Sequence, residues 1–412
     1  MGIVSLFIVA LMPVLKVILI TGLGLFLALD RINILGPEAN HHLNNAVFYV
    51  LCPALAGTCL AESITFQGFI NLWFMPLNLL LTFLIGSAFG WILIKITKTP
   101  KHLKGIVIGC CSAGNLGNLL LILLPAVCEE SNSPFGDPSI CSKSAKPYVA
   151  ISLSFGSIYI WSYTYGIMRF CANKSIEHGS TRNNSETVCI EITLPSTDSQ
   201  TSQHHTLQDQ KPPMSSGSGS DSDRKSTKIL ILKTIQRVKT SMRKIDPKKL
   251  FAPTLIGAIV GFIIGVVSPF RKLLIGNDAP LRVIDSSAYI LGEATIPCMT
   301  LIMGANLLKG LKGSDVSPIV IIGIIVVRNI FLPLSGIGVV KAAHHLGMVR
   351  SDPLYQFVLM LQYSVPPAMA VGTITEFFQL GQGETSVVML WTYAVAAVTV
   401  TLWSTFFMWL LA

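Results

Sequence analysis

Ten apolar stretches, a polar interval dividing them five and five, and matched interruptions in two of them predict the fold class. It is an all-α membrane protein: ten transmembrane helices as two inverted five-helix repeats, with broken crossing helices 4 and 9. Composition supports the class. The 412-residue chain is 51% hydrophobic and 12% charged, with a mean hydropathy of +0.62. A soluble domain carries about 25% charge.

The stretches are Ser5–Leu29, His42–Ala61, Phe69–Ile94, Lys104–Val127 and Tyr148–Phe170, then Leu250–Ser268, Ala288–Leu308, Pro318–Val340, Leu354–Phe377 and Ser386–Leu411. Each is near the length of about 20 residues that crosses a bilayer. Residues 1–170 then form the first repeat, 171–246 a hydrophilic cytosolic loop and 247–412 the second repeat. Met1 to Asp30 lacks a basic leader before its long apolar run, so it is read as the first span and not as a signal peptide.

The fourth stretch organises the rest. Gly114, Asn115, Gly117 and Asn118 fall within five positions at its middle. Glycine frees the backbone from helical geometry, and asparagine offers partners to the groups so freed. Non-helical backbone at membrane depth survives only against protein or a water-filled cavity. The segment therefore reads as a discontinuous helix, and such helices carry transport sites near the midplane. The structural alternative is one tightly packed helix with small residues at its interface.

The interval after the fifth stretch changes character. Thr181 to Lys228 is rich in Ser, Thr, Gln, Gly and Asp, cannot bury a core and is expected to be disordered. From Lys228 to Ile245, Leu232, Ile235, Val238, Met242 and Ile245 recur at helical spacing among basic residues. That pattern suits a basic amphipathic helix on an anionic membrane face or, equally, a solvated charged helix. The net charge of +9 resides in this interval and in the Lys95–Lys104 cluster, which predicts a cytosolic loop and luminal termini. The sequons at Asn173 and Asn183 are then on the unglycosylated side.

The two halves echo each other. Pro13 corresponds to Pro253, Pro53 to Pro297, Ser112 to Ser364, and Trp161 to Trp403, in order and at similar offsets. An odd number of spans per unit inserts the second unit upside down. The ninth stretch should then break where the fourth does. It reads Gln362-Tyr363-Ser364-Val365-Pro366-Pro367, and the double proline removes two backbone donors. The half-helices beyond the breaks would present unsatisfied N–H groups and about half a positive charge each, suited to a small carboxylate.

With these residues in view, the chain resembles the PIN-like (PILS) auxin carriers, relatives of the plant auxin efflux carriers, across essentially all its spans. The auxin efflux carriers hold a Pro-Asn pair in the fourth span with a proline seven residues after the Asn. Gly117-Asn118 takes that position here, and Pro125 follows at the same spacing. Pro366 matches the ninth-span proline of the family, while Gly117 replaces the first proline of the pair. The resemblance implies a crossover-type transporter fold, substrate contact at Asn118, auxin (indole-3-acetic acid) as substrate and residence in the endoplasmic reticulum membrane.

The expected substrate-binding set is Asn118, Asn115, Gly114, Gly117, Ser364, Pro366, Pro367, Gln362 and Tyr363; for Gln362 and Tyr363, one turn before the ninth-stretch break, core packing is the equal alternative. Glu293 and Lys16 are candidates for coupling or charge balance, since intramembrane charges are costly and usually functional; an interfacial carboxylate and a snorkelling lysine are the structural alternatives. Arg328 is expected to pair with a carboxylate or carbonyls, and Asn306 is a weaker candidate. Cys128 and Cys141 flank a loop expected in the lumen, where a disulfide is permitted; two free thiols are the alternative. No nucleotide loop, metal cluster or nucleophile–base pair is legible, so no enzyme, cofactor, metal or nucleic-acid role is expected. The partners are a small organic anion and the bilayer, with a homodimer left open. The reading is an auxin facilitator between cytosol and endoplasmic reticulum lumen working by alternating access. An ion-coupled carrier of another organic anion and a receptor or scaffold using its Ser-rich loop are the rivals.

Overall fold

The computed structural model describes residues 3–64, 66–130, 133–180, 253–311, 316–378 and 381–411. The expected tether at 181–228 and the amphipathic helix at 228–245 lie outside the described residues. The described residues 3–175 and 253–411 belong to one compact unit.

Among the described residues the chain is helical, with no strand beyond one isolated bridge. In chain order the first half holds α1 (Ile3–Leu27), α2 (Pro37–Ala46), α3 (Cys52–Ser63), α4 (Phe66–Asn71), α5 (Phe74–Thr97), α6 (Lys104–Ser112), α7 (Asn118–Glu129), α8 (Pro138–Tyr159) and α9 (Tyr165–Ser180). The second holds α10 (Pro253–Val266), α11 (Ser268–Leu274), α12 (Arg282–Glu293), α13 (Thr295–Leu311), α14 (Pro318–Val326), α15 (Leu332–His345), α16 (Pro353–Leu361), α17 (Ala370–Phe378) and α18 (Gln382–Leu411). Single π-helical turns at Val47–Leu51, Ile160–Thr164 and Val327–Phe331 join α2 to α3, α8 to α9 and α14 to α15.

Six helical runs are long and apolar enough to cross a membrane: Val4–Leu27, Pro37–Glu62, Phe74–Thr97, Arg282–Leu308, Pro318–His345 and Gly383–Leu411. The pair Pro253–Val266 and Ser268–Leu274 bends by 101° and makes a seventh if taken as one span. The chain is thus an all-helical, multi-pass membrane protein with about six uninterrupted spans. The fourth and ninth expected stretches are not single helices: each holds two short helices separated by non-helical residues, 113–117 and 362–369.

The apolar surfaces face two ways. On α1, Leu6, Val9, Ala10 and Val14 are buried, while Val4, Ile8, Leu15 and Leu19 are exposed. A helix apolar on all sides suits a bilayer on one face and protein on the other. Helices meet where small residues allow it. A Cβ added to Gly261 on α10 would run into the Gly57 carbonyl of α3, and one on Gly304 of α13 into the Thr21 carbonyl of α1.

Two Asp-Pro steps start helices. The Asp137 side chain accepts from the Ser139 N–H at 2.9 Å and the Ile140 N–H at 3.3 Å, while Pro138 supplies the preset φ of a first helical turn. The Ser139 hydroxyl, then these N–H bonds, hold the Asp137 carboxyl below the usual carboxylate range. Asp352 caps α16 through the Leu354 N–H at 3.0 Å and the Tyr355 N–H at 3.3 Å, and its other oxygen accepts from the Tyr148 hydroxyl at 2.6 Å. A disulfide joins Cys128 at the end of α7 to Cys141 at the start of α8, with Cα atoms 5.5 Å apart.

Candidate functional site

The two non-helical segments lie against each other. Pro366 and Pro367 cannot donate, so α16 winds down through Gln362, Tyr363 and Ser364, whose N–H groups still reach back to Val358, Met360 and Leu361. Beyond them the backbone turns to the other half of the molecule. The Ala368 N–H donates to the Ala113 carbonyl at 2.8 Å, and the Asn115 N–H donates to the Pro366 carbonyl at 2.8 Å. Gly114 and Pro367 face each other in an antiparallel bridge. Backbone groups that a continuous helix would satisfy internally are here satisfied across the interface between halves, as burial requires.

Arg328 ties the two segments from behind. It sits on the π-helical turn between α14 and α15 and is 1% exposed. Nη1 donates to the Cys111 carbonyl at 3.1 Å, and Nη2 donates to the carbonyls of Val365 at 2.6 Å and Pro366 at 3.0 Å. Among the described residues no carboxylate pairs with it. The partners are thus carbonyls, one of the two outcomes expected from the sequence. Gly114 makes the approach possible: a Cβ there would lie 2.6 Å from Nη2 and 2.9 Å from a Val365 methyl.

Two cavities flank this crossing. The larger, about 390 Å³, is lined by backbone of both segments and by side chains including Asn40, Phe48, Asn115, Trp161, Asn306 and Tyr393. The second, about 350 Å³, is largely apolar and shares Asn115, Met303, Met369 and Tyr393 with the first. Asn115 stands between them. Its Nδ2 donates to the Tyr393 hydroxyl at 3.0 Å, and that hydroxyl donates to the Pro367 carbonyl at 2.8 Å. Gly117 precedes α7, Met369 and Ala370 open α17, and all three line the larger cavity. Both helices therefore start at its wall.

The expected residues divide into groups. Gly114, Asn115 and Gly117 line the larger cavity, and Pro366 lines the smaller. The backbone of Asn118 opens α7; its side chain lies outside the described residues. Ser364 is buried and donates to the Leu361 carbonyl at 3.0 Å. Gln362 and Tyr363 belong to a separate buried network. Gln362 donates to the Ser152 hydroxyl at 2.8 Å and accepts from Asn78 at 2.7 Å, and the Tyr363 hydroxyl donates to Asn78 Oδ1 at 3.3 Å. These bonds fasten α16 to α5 and α8.

Lys16 and Glu293 line neither cavity. Both are exposed: Lys16 shares the outward face of α1 with Leu15 and Leu19, and Glu293 accepts from the Tyr289 hydroxyl at 2.6 Å at the end of α12. Asn40, Trp161 and Tyr393 were missed as lining residues. The π-helical turns, which often mark functional sites, point toward some of them. Val47–Leu51 supplies Phe48, Ile160–Thr164 supplies Trp161, and Val327–Phe331 supplies Arg328. Apolar sequence gives no sign of a π-helical turn.

Comparison with known proteins bears on what such a site serves. The family model described as membrane transport protein matches residues 9–404. The chain is 48% identical to Protein PIN-LIKES 1 of Arabidopsis thaliana over 412 residues, covering 100% of this chain and 81% of that protein. It is 46% identical to Protein PIN-LIKES 3 of the same plant over 408 residues, 99% of each. The chain belongs to the PIN-LIKES family of membrane transport proteins. Protein PIN-LIKES 5, also of Arabidopsis thaliana, is 42% identical over 414 residues, 100% of each chain. As a PIN-LIKES member the chain is a transporter of a small molecule and not an enzyme.

Proposed function

We propose that this PIN-LIKES member carries auxin, as the indole-3-acetate anion, between the cytosol and the endoplasmic reticulum lumen by alternating access. In this reading, α6–α7 and α16–α17 are the fourth and ninth of ten spans, broken at matched points of two inverted repeats. The observation that carries it is the larger cavity: α7 and α17 both start at its wall, and among the described residues its lining holds no carboxylate, lysine or arginine. Helix starts carry partial positive charge, and nothing anionic in that wall cancels it. Arg328 adds a full positive charge behind Gly114. A carboxylate is the charge such a wall receives, and the aromatic and apolar remainder of the lining suits a planar ring. Residues 171–246 are cytosolic and the termini luminal in the same reading.

The test is flux of labelled indole-3-acetate into proteoliposomes, with and without sodium and proton gradients. Saturable uptake inhibited by unlabelled indole-3-acetate is expected. Uptake no greater than in empty liposomes overturns the reading, and uptake of a different organic anion alone would reassign the substrate. Asn118→Ala, at the opening of α7, should weaken binding about tenfold, or about 1.4 kcal/mol.

A further inference from the structure

One amide in the wall of the larger cavity is only half satisfied. Asn40, in the first turn of α2, is 5% exposed. Its Nδ2 donates to Asn306 Oδ1 on α13 at 2.9 Å, and its own Oδ1 is buried without a hydrogen-bond partner. Both asparagines line the cavity. Buried polar groups are satisfied as a rule, and an exception calls for a missing partner. The bond to Asn306 uses one of the two N–H donors on Nδ2, and the atom left with no partner is the acceptor, Oδ1.

An acceptor repels a carboxylate. That oxygen cannot bind the charged end of an organic acid, whereas the starts of α7 and α17 attract it. We propose that Asn40 Oδ1 receives a hydrogen-bond donor on the cargo, so that the cavity selects organic acids carrying a ring N–H or O–H besides the carboxylate. The inference rests on reading this cavity as the organic-anion site, and adds to it an orientation, ring donor toward α2 and acid toward the crossing. A site with a buried group reserved for a substrate donor rejects the analogue lacking it, because the group is then left unpaired.

The experiment compares two acids of nearly equal shape. Indole-3-acetate carries the ring N–H, and benzofuran-3-acetate has an oxygen in its place. Equilibrium binding of each to the purified full chain should favour the indole acid by about tenfold. In Asn40→Leu the preference should collapse toward one, through weaker binding of the indole acid. The comparison on the parent chain needs no variant, so a poorly folded Asn40→Leu does not decide the matter. Equal binding of the two acids by the parent overturns the inference and leaves the anion site standing, as expected if a bound water already satisfies Asn40. A preference retained in a monodisperse Asn40→Leu overturns the assignment to this residue. Binding of neither acid overturns the anion-site reading and the inference with it.

Discussion

The backbone N–H of Asn115 donates to the carbonyl of Pro366 at 2.8 Å. The two residues belong to opposite halves of the chain, and each lies in the non-helical part of its segment. The bond exists because Pro367 offers no N–H to continue the helix, which lets the chain turn and aim the Pro366 carbonyl outward. The same carbonyl accepts from Arg328 at 3.0 Å.

Pro367→Ala tests that relationship. It restores the missing donor and lets α16 wind further, drawing the Pro366 carbonyl away from Asn115. One hydrogen bond is worth roughly 1 kcal/mol net, and the displaced backbone walls both cavities. Binding of labelled indole-3-acetate to the purified, monodisperse variant should weaken on the order of tenfold, about 1.4 kcal/mol. Parent-like binding would separate the bridge from the site.

Arg328 should prove indispensable in a way lysine does not replace. Its fork spans carbonyls of Cys111, Val365 and Pro366, whereas an ammonium is a compact point charge that does not match that geometry. Hydrogen bonds to a charged group are worth roughly 1.5–3 kcal/mol each. Arg328→Ala should lower the melting temperature in detergent and abolish binding. Arg328→Lys should recover part of the stability and little of the binding. A variant with lysine that binds like the parent would show that charge alone suffices and that the fork geometry is idle.

How far the sequence reveals such a site can be read residue by residue. The stop of α16 at Leu361, ahead of the prolines, was not legible, whereas interruptions near Gly114 and Pro366 were, because Gly114, Gly117, Pro366 and Pro367 act on their own backbone. The pairing of Ala113 with Ala368 was not, since it is a contact between halves and neither residue carries a signal. For Gln362 and Tyr363, next to the prolines, the sequence leaves substrate contact and core packing equally open. They turn to Asn78 and Ser152. The reason lies on α5 and α8, whose polar residues sit amid apolar sequence and demand buried partners. Lys16 drew attention as an intramembrane charge, yet it sits on the exposed face of α1. Asn40 was passed over because it precedes the expected second span, which the helix beginning at Pro37 extends.

The disulfide makes a prediction independent of the cargo. Cys128 and Cys141 close a loop with a sequence separation of 13, and a loop of about 15 residues stabilises by about 3 kcal/mol in the chain-entropy account. Cys128→Ser should therefore lower the melting temperature in detergent without removing binding. Denatured parent protein should show the two thiols alkylated only after reduction. Alkylation without reductant in protein taken from its native membrane would mean that the bond does not form there, and that this loop does not face an oxidising compartment.

Two glycines in the same interrupted segment should respond differently to alanine. A Cβ at Gly114 meets a guanidinium nitrogen of Arg328 at 2.6 Å and a Val365 methyl at 2.9 Å. That nitrogen is fixed by two carbonyls, so it cannot retreat without giving up bonds that join the halves. A Cβ at Gly117 meets the tip of Leu153, a flexible side chain at the cavity wall. The φ of −101° at Gly117 is open to any residue. Alanine at both positions adds the same methyl group, but the neighbour yields at only one. Gly114→Ala should lower the melting temperature and weaken indole-3-acetate binding at least tenfold, while Gly117→Ala should stay within about threefold of the parent. In energy that is a difference of about 0.7 kcal/mol or more, on a scale of 1.4 kcal/mol per tenfold. Equal effects from the two would mean that the guanidinium moves freely behind Gly114, and that the crossing is held by its backbone bridge alone.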